Sequence, residues 1–170
     1  MKRIYTCLFS VAFLALTTNA QVVVNEFSAS NLDQFTDNYG NFEDWVELYN
    51  TSGASANIGG YFLSDSENNP DKWRIPTGTT IPGNGYIVFW CDGRDEVLGG
   101  EYHTNFKLKQ TKDTEEIVFS DPDTNIINNI PLGRTQLGHS FCRDVNGGST
   151  WVIDITPTPD ASNGSNGHRD

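Results

Sequence analysis

Along the chain, short runs of β-branched and aromatic residues alternate with clusters of Gly, Pro, Asn and Asp, and no window sustains the i, i+3, i+4, i+7 repeat of an amphipathic helix. The runs at 22–27, 44–50, 61–65, 72–75, 85–91, 115–121, 125–130, 139–143 and 150–155 predict strands. Gly59-Gly60, Asn69-Pro70, Pro82-Gly83-Asn84-Gly85, Asp92-Gly93, Asp121-Pro122-Asp123 and Asn146-Gly147-Gly148 supply the turns between them. Eight or nine short strands at this spacing predict an all-β sandwich.

The alternation also ranks the strands. In Tyr86-Ile87-Val88-Phe89-Trp90-Cys91 both faces are apolar, which predicts a strand covered on two sides. In Asp44-Trp45-Val46-Glu47-Leu48-Tyr49-Asn50, Val46 and Leu48 point one way and Trp45, Glu47 and Tyr49 the other. The second face is therefore either packed under a loop or open, and an open Trp45 and Tyr49 would make a stacking platform for a ligand.

The first twenty residues break the strand pattern. Lys2 and Arg3 precede an apolar stretch over residues 4–16, and small residues end at Ala20 before Gln21. This predicts a secretory signal peptide over 1–20, the stretch being shorter than the ~20 apolar residues a spanning helix needs. The domain is then expected over 21–159, with a flexible Asn/Gly/Ser-rich tail at 160–170, and the product is expected outside the cytoplasm.

Charge sharpens that expectation. The 170 residues carry 11 Lys+Arg against 22 Asp+Glu, a net of -11. Removal of Lys2 and Arg3 leaves 9 against 22, a net of -13. Such a surface repels a polyanion, so nucleic acid is not expected as a partner. Without Cys7, two cysteines remain, Cys91 and Cys142, and they are either a single disulfide or two small buried hydrophobes.

Catalytic signatures are sparse: the chain has no G-x-S-x-G, no H-E-x-x-H, no phosphate loop and no CxxC. His103, two residues from Asn105, is expected to hold its loop through bonds to nearby backbone. Calcium is the one cofactor the composition suggests, because hard cations take six to eight oxygens. The candidate ligands are Asp33, Asp37 and Asp44 in one acidic loop and Asp65, Glu67 and Asp71 in another. Neither loop has the EF-hand order, and Asp and Asn cap turns equally well without metal, so no cofactor is the preferred expectation.

Three segments resemble a known module. Val23-Val24-Asn25-Glu26-Phe27-Ser28, Asp44-Trp45-Val46-Glu47-Leu48-Tyr49-Asn50 and Gly60-Tyr61-Phe62-Leu63-Ser64-Asp65 are similar to the opening of lamin tail domains of the bacterial secreted type. The similarity continues through Lys72-Trp73-Arg74-Ile75-Pro76, His103-Thr104-Asn105-Phe106 and the closing Thr156-Pro157-Thr158-Pro159. It implies an immunoglobulin-like β-sandwich with no assigned catalytic residue. Asp160 stands where such domains usually have Gly. The chain has no heptad repeat with which to form a filament-forming coiled coil. A secreted, non-catalytic module is the expected function, with a protein or cell-surface polymer as partner in an adhesive or scaffolding role. Alternatives are a carbohydrate- or calcium-binding surface module and a metal-dependent hydrolase accessory domain.

Overall fold

A computed structural model describes residues 21–111 and 114–164. The signal peptide expected over 1–20 lies outside the described residues. No described helix is long and apolar enough to cross a membrane.

Among the described residues thirteen strands follow one another. They are β1 (Val22–Ser28), β2 (Trp45–Asn50), β3 (Ala56–Asn57), β4 (Phe62–Ser64), β5 (Trp73–Arg74), β6 (Thr80–Ile81), β7 (Tyr86–Trp90), β8 (Glu96–Leu98), β9 (Glu101–His103), β10 (Glu116–Ser120), β11 (Ile126–Pro131), β12 (Ser140–Arg143) and β13 (Trp151–Asp154). All nine sequence-predicted strands are present. The count exceeds eight or nine because β3, β6, β8 and β9 are only two or three residues long, too short to show an alternation.

Seven strands form one sheet in the order β13-β12-β1-β2-β7-β9-β8, and four form another in the order β11-β10-β4-β5. A small ribbon, β3-β6, adds Ala56 and Ile81 to the core. Neighbours are antiparallel except for β7 and β9. Val24, Phe27, Val46, Leu48 and Phe89 of the large sheet pack on Leu63, Trp73, Ile117 and Phe119 of the smaller one. These are the two inner faces of a sandwich.

β1 is buried along its whole length, so both of its faces are covered. Its pairing with β2 shifts between Val24 and Glu26, a β-bulge at Asn25. Strict alternation from Val24 would turn Glu26 inward and Phe27 outward. The inserted residue resets the phase: Phe27 enters the core beside Phe141 and Trp151, and Glu26 pairs with Glu47 on the outer face.

Candidate functional site

The outer face of the seven-stranded sheet carries Trp45, Glu47 and Tyr49 of β2, Tyr86, Val88 and Trp90 of β7, and Glu101 and His103 of β9. Two irregular segments cross it. The first, residues 29–44, is shaped by its own polar side chains. Asn31 donates to the carbonyls of Phe35 (2.7 Å) and Glu43 (2.9 Å) and accepts from the Phe35 amide. Asp37 Oδ1 accepts from the amides of Tyr39 (2.9 Å) and Asn41 (2.8 Å). Phe35 thereby meets Trp45 edge to face at 6.4 Å, and Trp45 is fully buried.

The second segment, residues 156–163, runs over Glu26 and Glu47. Glu26 accepts bonds from Ser140 Oγ (2.6 Å), the Thr158 amide (2.9 Å) and Thr158 Oγ1 (2.8 Å). Glu47 accepts from Asn25 Nδ2 (2.9 Å) and the Asp160 amide (2.6 Å). Asn163 ends this strap, donating to the carbonyls of Asn25 (3.2 Å) and Arg143 (2.9 Å). Asp160 sits at φ +62°, a left-handed turn that Asp tolerates and Gly adopts freely. The expected flexible tail at 160–170 is corrected over its first residues: Asn163 is buried and bonded, while 165–170 lie outside the described residues.

Between the two segments a groove of about 580 Å³ opens on the sheet. Gln34, Phe35 and Thr36 form one wall, Tyr86, Val88 and Trp90 line the sheet side, and Pro159 and Asp160 belong to the strap. Trp90 Nε1 donates to Glu101 Oε2 (2.6 Å), which fixes the indole at one end. The half-buried β7 residues differ from the expectation of a strand covered on both sides, because the groove leaves part of their outer face open.

At the side of the groove lies a buried charge cluster. His103 Nδ1 is 2.7 Å from Asp92 Oδ2, and the Arg94 guanidinium bridges Asp92 and Asp37, reaching Asp37 Oδ2 at 3.1 Å. Burial alone would raise the Asp92 carboxyl, but bonds from the Arg94 amide, His103 and the Arg94 guanidinium outweigh it and hold Asp92 below the usual carboxylate range. A carboxylate acceptor fixes the Nδ1–H tautomer of His103. Asp37, Asp92 and His103 bring three potential metal-ligating atoms within 4.8 Å of one another, but a guanidinium already supplies the positive charge there.

The sequence candidates are distributed differently from expectation. Of the calcium candidates only Asp37 belongs to that grouping. Asp44 is partly buried, and burial, followed by the effect of neighbouring Glu43, raises its carboxyl to about 7 against the bond from the Asn31 amide. Asp65 pairs with Lys72, Glu67 accepts from Asn129, and Asp33 and Asp71 are exposed. As a stacking residue Trp45 is corrected, since residues 29–44 cover it. Tyr49 remains half-buried and packs on Tyr86 with ring centres 5.0 Å apart.

The disulfide alternative is also corrected: Cys91 and Cys142 are both buried and are not bonded to each other. β7 and β12 are separated by β1 and β2, which puts the two strands about 14 Å apart at normal strand spacing, beyond the ~7 Å Cα separation a disulfide tolerates. Their side chains also face opposite sides of the sheet, Cys91 in the core and Cys142 in the row of Glu26.

His103 bonds the Asp92 side chain rather than neighbouring backbone, whereas Asn105 does reach a backbone carbonyl, that of Lys72. Asp92, Arg94, the Glu26–Glu47 pair and Asn163 were not singled out from sequence as site residues. The available signal was a carboxylate inside each of two apolar strands, which only a covering segment explains.

No curated protein and no solved structure matches the chain significantly. The family model described as Lamin Tail Domain matches residues 16–133, well over half of the chain. The match takes in the Asn25-Glu26 bulge, the Glu47 strand and the His103 cluster, and stops before β12, β13 and the strap. With that match and the sandwich it predicts, the chain belongs to the lamin tail domain family of immunoglobulin-like modules.

Proposed function

We propose that this chain is a secreted, non-catalytic interaction module that holds a protein or cell-surface polymer in the groove between residues 29–44 and the strap. The groove's composition carries the proposal. Phe35, Tyr86 and Trp90 present aromatic surface, Gln34, Thr36 and Asp160 present polar groups, and no Lys or Arg lines it. Concave sites of this mixed character suit binding, and the acidic lining disfavours an anionic polymer. By contrast, the groups with chemical potential are committed inward: His103 and Asp92 bond each other, and both carboxylates beside the strap accept from backbone and hydroxyl donors.

A neutral glycan is the second candidate ligand, favoured by aromatic faces beside hydrogen-bonding groups. Export, with a mature start at Gln21, completes the proposal, and amino-terminal sequencing of the exported protein tests it. Arg94 takes the role that a cation would have between Asp37 and Asp92.

To test the groove, a photo-crosslinking side chain is placed at exposed Thr36 and, as control, at exposed Asp123. The proposal predicts a partner captured from the extracellular fraction at the first position and not at the second. Equal capture at both, or none at Thr36, refutes it.

A further inference from the structure

We propose that the strap, residues 156–163, is a proton-linked latch: closing it over Glu26 and Glu47 takes up a proton, so rising pH loosens one wall of the groove. Only the consequence for binding rests on the function proposed above; the latch itself is a property of the fold.

The geometry begins with the pair. Glu26 and Glu47 are direct cross-strand partners on β1 and β2, and neither has any exposed surface. Directly opposite side chains on adjacent strands lie about 5 Å apart at Cβ. Among the described residues no Lys, Arg or His forms an ion pair with either carboxylate. The groups around them add negative charge or none: Asp154 of β13 acts on Glu26, Asp160 of the strap acts on Glu47, Tyr86 of β7 lies close, and Cys142 of β12 shares their face. Arg143 is on the other face of β12, over Trp151, and donates to the carbonyls of Val24 and Gly148. Two unpaired carboxylates abreast in a dry site cannot both ionise cheaply, so the pair retains a proton. Burial is the main cause of the rise in both carboxyls, and it carries Glu47 to about 8.

The strap makes the site dry. Of the five donors that reach the pair, Thr158 N, Thr158 Oγ1 and Asp160 N come from it, while Ser140 and Asn25 belong to the sheet. Lifting the strap removes those three bonds, which by themselves favour the ionised form, but it also admits water and so relieves the larger effect of burial, returning the carboxyls toward 4.5, where both are ionised at neutral pH. Closure therefore binds a proton that the open form lacks. Because Pro159 and Asp160 line the groove, the same motion reshapes it.

The test is amide hydrogen exchange on the full chain without ligand between pH 6 and pH 8, corrected for intrinsic rates. One linked proton makes the closing constant fall about tenfold per pH unit in that window. Protection of the Thr158 and Asp160 amides is expected to fall by that factor and to lie well below that of Val46 and Leu48, in the core strand β2, at every pH, because the strap opens without the sheet. Glu47→Gln cannot ionise and is expected to flatten the slope. Flat protection at Thr158 and Asp160 in the wild type, or an unchanged slope in Glu47→Gln, overturns the latch. If that variant does not fold, the wild-type series decides alone. Failure of crosslinking at Thr36 would remove the groove's role and leave these exchange rates unchanged.

Discussion

Asn163 offers the sharpest check on whether the end of the chain belongs to the fold. Asn163→Ala removes two donors and one acceptor at once: the amide that bonds the carbonyls of Asn25 (3.2 Å) and Arg143 (2.9 Å), and the oxygen that accepts from Asn25 Nδ2 (3.1 Å). Asn25 Nδ2 keeps Glu47 as a partner, so its loss is small. The two carbonyls are buried against the bulge and β12, and an acceptor stranded there costs about 1–3 kcal/mol. Two of them, reduced for the entry of water once the side chain is gone, give a destabilisation of about 2–4 kcal/mol. For a domain of this size that is a fall in melting temperature of about 5–15 °C. Urea unfolding followed by Trp fluorescence measures it, with an unchanged m-value showing that the same fold is melting. A change below about 0.5 kcal/mol would refute the reasoning and return residues 160–163 to a tail.

Further outcomes follow from the same structure. Denatured, unreduced protein is expected to titrate Cys91 and Cys142 both as thiols, since they lie on opposite faces of the sheet; a loss of both from the titration would contradict the strand order. Chelation of divalent ions is expected to leave the melting temperature unchanged, because Arg94 already neutralises Asp37 and Asp92; a fall of several degrees would show a bound ion contributing to stability. Melting temperature against pH is expected to peak near pH 5. Glu47 and Asp44 have raised folded values of about 8 and about 7, so their contribution is full below about pH 4 and is lost as pH rises through those values. Asp92 is held low, so its contribution is present above about pH 4 and is lost as pH falls through its lowered value. A melting temperature that climbs from pH 5 to pH 8 would contradict this sign.

Much of the sandwich was legible because its longer strands carry period-two alternation, as in Val46 and Leu48 against Trp45 and Glu47. The bulge at Asn25 was less so, since one inserted residue leaves only an odd spacing between Val24 and Phe27, both in the core. Trp45 was assigned to the correct face, but whether that face is open depends on Asn31, which bonds Phe35 and Glu43 and folds residues 29–44 over the sheet. Tertiary closure of that kind has no local signature. The cluster of Asp37, Asp92, Arg94 and His103 draws on three separated segments, brought together by the parallel pairing of β7 with β9 and by the first covering segment. Asn163 was hidden by its neighbours, because Asn, Gly and Ser compose both flexible linkers and tightly bonded turns, and only the partners tell them apart.

The central claim is that the groove between the two covering segments is where this lamin tail domain meets its partner. Crosslinking from position Thr36 in the presence of the extracellular fraction tests it most directly. The account predicts one partner captured at Thr36 and none at Asp123; capture at Asp123 with none at Thr36 would contradict it.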